Sequence, residues 1–298
     1  MAFHSVVCIK QVPDTTQVRI DPETGSLVRK GIPSVINPFD LFAVEAALRL
    51  RDEHGGTVTA LCMGPPQAEE ALRKVLGYGA DRAVLVTDRA FAGADTLATT
   101  YTLAAAIRKI AGARNDRETE GNEGGEAGPR DAAGEPVDLV FCGKQSIDGD
   151  TGQVGPGLAR RLGFSQLTYV CSLLQIDPEK RKLRAWRQRE DGRELLEADL
   201  PVAVTITEAC NRIRYASLPD LLAAADKKID TWCADDLDAE RGRLGLKGSP
   251  TRVNRIFAPP VRQRGETVGE PGMEPAAVAA LLFDRLSERG MKPGVARA

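Results

Sequence analysis

The sequence predicts an α/β fold: a parallel sheet covered by helices on both faces, followed by a C-terminal arm. Two observations carry the prediction. Strand-like apolar runs alternate with segments of helical period through the first two thirds of the chain, and repetition of that kind builds parallel sheets. The chain also holds enough apolar material. Its 298 residues, 42% of them hydrophobic, support one large α/β domain with appendages or two modest domains, and 28% charged residues suit a solvated surface.

Taken in order, residues 5–10 form a short β-branched run, and a charged, turn-rich stretch follows over 14–30, where DPETG has the composition of a turn. Residues 39–53 place Ala43, Ala46, Ala47 and Leu50 at i, i+3, i+4 and i+7, the period of an amphipathic helix. Residues 57–62 read as a strand, 67–76 as a helix, 82–87 as a strand, and 95–110 as a helix with little polar surface. A strand over 137–142 and a helix over about 151–162 continue the alternation. Residues 113–136 interrupt it with Gly, Glu, Arg and Asn and almost no large apolar side chain, the composition of a solvated insertion. Beyond it, 167–176 reads as a strand, DPEK as a charged turn, LRAWRQ and PVAVTIT as further strands, and RYASLPDLLAAADKKI as a loop entering a short helix. From residue 231 the chain is turn-rich and prolines recur, with one late helix over 275–289. The organisation expected is therefore an α/β domain over 1–230, carrying the insertion, and a C-terminal extension over 231–298. That extension has too little apolar surface to fold alone and is expected to lie along this domain or another chain.

Composition excludes several function classes. Forty basic against forty-two acidic residues give a formal net charge of -2, which argues against a nucleic-acid-binding footprint; the Arg-rich stretch 181–189 reads as a solvated face. The six cysteines are scattered without a C-x-x-C pair, and three of them sit in the strand-like runs SVVCIK, TVTALC and DLVFC, where they behave as small buried hydrophobes. His4 and His54 are the only imidazoles, neither near a cysteine in sequence, so no metal site is expected and a reducing cytoplasmic setting is. No apolar stretch approaches the length of a membrane span, and the N-terminus enters a strand too soon for a cleavable signal.

In an open parallel sheet, ligands bind beyond the carboxyl ends of the strands. Strand 57–62 runs into Met63, Gly64 and Pro65. Strand 137–142 runs into Gly143, Lys144, Gln145, Ser146, Ile147, Asp148, Gly149, Asp150, Thr151, Gly152, Gln153, Val154, Gly155 and Pro156. Glycines let backbone N–H groups approach phosphate oxygens, and a following helix adds the positive end of its dipole. Asp148 or Asp150 capping that helix is the structural alternative. The loop is neither a Walker A sequence nor a G-x-G-x-x-G fingerprint. Asn37, Pro38, Phe39 and Asp40 have the grammar of a helix start, with Asn at the N-cap, Pro at N1 and Asp at N3, and capping accounts for them without a ligand. Gly93, Ala94, Asp95 and Thr96 likewise open a helix, with Asp95 as a cap. No Ser/His/Asp arrangement, metal-ligand cluster or carboxylate pair with a base is apparent, so no catalytic residue is assigned and a cofactor is expected to carry the chemistry.

The segments CIKQVPD, NPFDLFAVEAALRL, MGP, GADRAVLV, DLVFCGKQSIDGDTGQVGP and NRIRYASLPDLLAAADKKI together resemble the β subunit of electron transfer flavoproteins, over about residues 3–112 and 136–230. The resemblance implies a nucleotide-binding fold of the adenine nucleotide α-hydrolase-like kind and a larger α subunit that carries FAD and contacts the C-terminal arm. In the carrier branch of that family the β chain holds AMP. In the electron-bifurcating branch it holds a second FAD. Carried over, the pocket comprises Cys8, Asn37, Pro38, Phe39, Asp40, Met63, Gly64, Asp95, Thr96 and the loop from Gly143 to Val154, which Gly155 and Pro156 extend. IDGDTGQVGP and FAGADTLATTYTLA resemble the bifurcating group, which implies FAD in this chain, NADH as the hydride donor, and two electron outlets: an acyl-CoA dehydrogenase partner, and a ferredoxin or flavodoxin. The alternatives are a carrier subunit with structural AMP that accepts electrons from acyl-CoA dehydrogenases, and a stand-alone adenine-nucleotide sensor. The family's dehydrogenase-docking segment corresponds to Cys210, Asn211, Arg212, Ile213, Arg214 and Tyr215, with Cys210 where a larger apolar anchor stands in the mitochondrial type.

Overall fold

The computed structural model describes residues 2–14, 19–20, 27–28, 33–112, 136–254 and 265–291. The chain divides into two compact units, Met1–Ile256 and Phe257–Ala298.

The first unit begins with β1 (Phe3–Ile9), whose seven residues are all buried. Short antiparallel pairs follow, β2 (Gln11–Pro13) with β5 (Ser34–Ile36) and β3 (Arg19–Ile20) with β4 (Leu27–Val28). Much of the predicted turn stretch 14–30, and all of the insertion 113–136 but its last residue, lie outside the described residues. Next come α1 (Pro38–His54), β6 (Gly56–Met63), α2 (Glu69–Gly77), β7 (Arg82–Val86), α3 (Thr96–Ile110), β8 (Leu139–Gly143) and α4 (Val154–Leu162). The unit then forms β9 (Ser165–Asp177), β10 (Lys182–Gln188), β11 (Arg193–Asp199), β12 (Val202–Ile206), α5 (Leu218–Asp226) and β13 (Asp230–Trp232).

These strands build one nine-stranded sheet in the order β11-β10-β9-β12-β8-β1-β6-β7-β13. From β9 to β13 the neighbours in that order are parallel, and β9, β10 and β11 form an antiparallel extension at one edge. The chain steps outward from β1 to β6 and β7, then returns to lay β8 on the opposite side of β1. The carboxyl ends of β1 and β8 therefore frame a topological switch point, the place where such sheets bind ligands.

Each face of the sheet is covered. Val7, Ile9, Leu139, Phe141, Val202 and Val204 pack with α1 and α2, whereas Val6, Cys8, Val140, Cys142 and Ala203 pack with α3 and α4. Alternate residues of one strand thus enter opposite cores, as the pleat requires. The helices lie close because their inner faces are small: Ala43, Ala46 and Ala47 on α1, and Ala104 and Ala106 on α3, are all buried. Gly157 of α4 has the same use, since a Cβ there would stand 2.7 Å from Thr100 Cγ2 of α3.

The chain after residue 230 contributes to this unit, beyond the boundary that composition suggests. β13 pairs with β7 at the sheet edge, and Ala234, Leu237 and Leu244 are buried in the second core. Three short 3-10 turns, Ala234–Asp236, Arg241–Arg243 and Gly245–Gly248, space these apolar residues irregularly, so no period reveals them. β11 also escapes prediction: as an edge strand it alternates half-buried and exposed positions and carries Arg193, Glu194, Glu197 and Asp199. The second unit contains α6 (Pro275–Glu288), none of whose residues is buried.

Candidate functional site

The first turn of α1 joins the two strand ends at the switch point. The backbone amide of Asn37 donates to Lys10 O at 2.8 Å, setting the start of α1 against the end of β1. Asp40 Oδ2 accepts from the Lys10 amide at 2.8 Å, and Oδ1 accepts from the Gly143 amide at 3.2 Å. Asn37 reaches further along the same loop: Nδ2 donates to Gln145 O at 2.8 Å and Oδ1 accepts from the Ile147 amide at 3.2 Å. Asn37 does stand at the N-cap position of α1 and Asp40 in its first turn, as the helix-start grammar predicts, but Asn37 makes no side-chain cap bond and both side chains turn to the neighbouring strand ends instead. Their side chains satisfy amides and a carbonyl that the ends of β1 and β8 would otherwise leave unpaired. Burial pushes the Asp40 carboxyl up to about 7, against the lowering effect of Asn37 and of the Lys10 and Gly143 amides.

The loop after β8 is shaped by local pairings. The amide of Lys144 donates to Ile206 O at 2.9 Å, and its ammonium stands 4.5 Å above the Phe39 ring and 2.9 Å from Glu208. Lys10 Nζ pairs with Asp148 at 2.7 Å, and Gln145 donates to Asp150. Burial raises the Asp148 carboxyl, but Lys10 more than offsets this and holds it below the usual range. Asp150 and Gly152 take left-handed conformations, with φ of 53° and 62°. Neither aspartate caps the next helix. α4 starts at Val154, later than the spacing predicts, with Gln153 at its N-cap, no side-chain cap bond and no acidic residue in its first turn. Its amino end lies hard against the sheet because Gly155 has no side chain: a Cβ there would stand 2.2 Å from Thr205 Cγ2 on β12.

The amino end of α3 is adjacent, with Thr96 Oγ1 donating to Thr151 Oγ1 at 3.3 Å. Asp95 caps α3 through the Ala98 amide at 3.1 Å and also accepts from Thr251 Oγ1 at 2.7 Å. Ser249 Oγ accepts from the Asp95 amide at 2.8 Å. Ser249 and Thr251 lie in the turn-rich tail, and their only mark in the sequence is a pair of hydroxyls flanking Pro250. Cys8 is buried in the second core beneath α3 and α4, its free thiol hydrogen-bonded with that of Cys142 and pushed well above its ordinary value by that hydrogen bond and by burial. Met63 is half-buried at the end of β6, and the Gly64 amide donates to Val86 O at 3.0 Å.

Residues 210–215 lie along α1 rather than at the switch point. Cys210 packs partly buried against the first core, and Asn211 Nδ2 donates to Phe42 O at 2.9 Å. Arg214 pairs with Glu45 at 2.7 Å and with Asp52 at 2.9 Å, and Arg49 donates to Arg212 O at 3.2 Å. Ile213 is half-buried, Arg212 is exposed, and Tyr215 is 98% exposed. One helix thus holds both features: the first turn of α1 fixes the loop after β8, and its later turns fix the 210–214 segment.

Among the described residues there is no group of three or more His, Cys, Asp or Glu side chains that could hold a metal ion. No helix among them is long and apolar enough to cross a membrane. The arrangement suits binding: backbone amides and an uncapped helix end at the carboxyl edge of a parallel sheet.

The chain matches the electron transfer flavoprotein domain family over residues 24–115 and 130–237. It is 52% identical to protein FixA of Bradyrhizobium diazoefficiens over 275 residues, covering 92% of this chain and 88% of that protein. It is 47% identical to protein FixA of Azotobacter vinelandii over 287 residues, covering 95% and 94%. It is 46% identical to the electron transfer flavoprotein subunit beta of Clostridium acetobutylicum over 273 residues, covering 91% and 94%. With its α/β sheet, its carboxyl-end loop and a match across most of its length, the chain belongs to the electron transfer flavoprotein family, as a member of the β-subunit type.

Proposed function

We propose that this chain is the nucleotide-binding subunit of a heterodimeric electron transfer flavoprotein and holds FAD at the carboxyl ends of β1 and β8. The observation that carries the reading is the uncapped amino end of α4, which follows a glycine-bearing loop at the switch point. The residues present fit a dinucleotide. Gly152 and Asp150 turn the loop through left-handed conformations, the kind of backbone from which phosphate-binding loops are built. No carboxylate stands in the first turn of α4 to repel an anion there. Gly93, Ala94 and Thr96, at the amino end of α3 beside Thr151, are small, which supports the larger FAD over AMP.

A bound flavin would accept a hydride from NADH and release electrons singly, to the α-subunit FAD with an acyl-CoA dehydrogenase beyond it, and to a ferredoxin or flavodoxin. The chain's own residues bind and orient. The loop amides and the α4 dipole hold the pyrophosphate, while Asn37 and Asp40 hold the loop. The segment around Tyr215 meets the dehydrogenase, and the C-terminal arm meets the α subunit. A cytoplasmic setting suits the six free thiols. Quantifying the nucleotides released by denaturing the purified heterodimer tests the reading. Two FAD per heterodimer are expected, whereas one FAD with one AMP would assign this chain to the carrier type.

A further inference from the structure

Asp40 bridges the two strands of the switch point, and the bridge needs both carboxylate oxygens. Oδ2 accepts from the Lys10 amide at 2.8 Å and Oδ1 from the Gly143 amide at 3.2 Å. The approach is so close that no side chain fits at residue 143, where a Cβ would stand 2.5 Å from Asp40 Oδ1 and 2.6 Å from the backbone carbonyl carbon of Phe39. Asn37 continues the clasp to Gln145 and Ile147. An ionised carboxylate is an acceptor at both oxygens, but a protonated one turns an oxygen into a donor. Facing an N–H, that hydroxyl oxygen is a poorer acceptor than a carboxylate oxygen, so the hold on one strand end weakens.

We propose that Asp40 is a positioning residue whose carboxylate keeps the loop after β8 in its nucleotide-binding shape, and that uptake of a proton from solvent relaxes the loop and weakens binding. The proposal rests on the nucleotide reading above and adds to it a proton-linked control of affinity. Burial, outweighing the bonds from Asn37, Lys10 and Gly143, raises Asp40 to about 7, so the change falls in the physiological range. The ionisable groups facing it are Lys10 from the end of β1, itself paired with Asp148, and the thiols of Cys8 on β1 and Cys62 on β6. Cys142 on β8 adjoins through its hydrogen bond with Cys8. Burial pushes Cys62 up to about 12, and the hydrogen bond with Cys142 together with burial pushes Cys8 well up, while Lys10 keeps Asp148 low against the effect of burial. Cys8, Cys62 and Asp148 therefore keep one charge state where Asp40 changes its own.

The test is titration of FAD, whose pyrophosphate stays ionised in this range, into the heterodimer stripped of nucleotide in this subunit. If only the clasped form binds, the competent fraction falls from about 0.9 at pH 8 to about 0.1 at pH 6, and the apparent dissociation constant rises about tenfold. Asp40→Asn should bind more weakly with a flat pH profile. Asn37→Ala removes the part of the clasp that does not titrate and also a bond that lowers Asp40, so it should weaken binding at every pH and move the pH-dependent fall in affinity to higher pH. A flat wild-type profile overturns the proposal, as does a slope that survives in Asp40→Asn. The wild-type and Asn37→Ala profiles decide the matter even where Asp40→Asn does not assemble. Failure of FAD and AMP alike to bind at any pH would overturn the nucleotide reading itself, and the proposal with it.

Discussion

The carboxylate of Asp40 and the backbone amide of Gly143 meet at 3.2 Å across 103 residues of sequence, tying the first turn of α1 to the end of β8. The loop that follows β8 is therefore anchored at its root by another element, and its remaining shape comes from side-chain pairings such as Lys10 with Asp148 and from its own glycines. On the proposed reading, that loop must stay in place for the chain to hold its nucleotide.

Gly152 is the glycine whose backbone the loop most needs. Its φ of 62° suits glycine, and a Cβ there would also meet the Tyr169 hydroxyl at 3.3 Å. Gly152→Val should cost the loop about 1–3 kcal/mol of local strain and lower nucleotide affinity at least tenfold. Gly149→Val should weaken binding for a different reason: within the chain a Cβ there meets only Ser146 Oγ at 3.4 Å, so the loss would come from a side chain blocking the approach of the backbone to the phosphates. Wild-type nucleotide content in both variants, measured after gel filtration, would place the ligand elsewhere.

Asp40 also makes global stability depend on pH. Its value of about 7 in the folded chain lies above the ordinary 3.8, so between the two the folded state binds more protons than the unfolded one. Stability should then fall as pH rises through that window, with the penalty complete above about pH 7. Urea unfolding at about pH 5 and pH 8 should show this loss reduced in Asp40→Asn by about 2–3 kcal/mol. An unchanged pH dependence in the variant would contradict the assignment.

The 210–215 segment divides into a held part and a presented part. Burial would raise the Glu45 carboxyl, but Arg214 and Arg49 outweigh it and hold it below its ordinary value. Arg214→Ala should therefore destabilise the chain at neutral pH by about 1.5–3 kcal/mol, an effect that fades as pH falls through the depressed value. Tyr215, 98% exposed, should be different. Tyr215→Ala should leave stability within about 0.5 kcal/mol yet slow electron exchange with the dehydrogenase, flavin content unchanged. Wild-type exchange rates in that variant would remove the segment from docking.

On α6, Leu281, Leu282, Phe283 and Leu286 are exposed. Burying such side chains against a partner would contribute about 1.5–3 kcal/mol each before entropy losses. Deleting residues 271–298 should therefore weaken the heterodimer in sedimentation, and an undiminished complex would show the helix to be dispensable.

Much of the fold was legible in the sequence because β1, β6, β7, β8 and β12 are buried on both faces and read as continuous apolar runs. β11 and β13 were not. One is a charged edge strand, and the other is three residues long and half-buried. The loop after β8 stood out by its glycines following a strand. The clasp did not, because Asn37 and Asp40 satisfy the grammar of a helix start so well that capping explains them fully. Asp148 and Asp150 misled in the same way, being bonded to Lys10 and Gln145 rather than to α4. Local patterns report which residues can cap a helix. They do not report a competing backbone amide brought in from another strand.

The location of nucleotide density in an experimental structure of the heterodimer tests the proposed site most directly. An FAD is expected whose pyrophosphate lies against the amides of residues 149–155 and the amino end of α4, with Asp40 still hydrogen-bonded to Lys10 and Gly143. Density lodged away from that loop, or a heterodimer fully active with the loop contacting no nucleotide, would contradict that site.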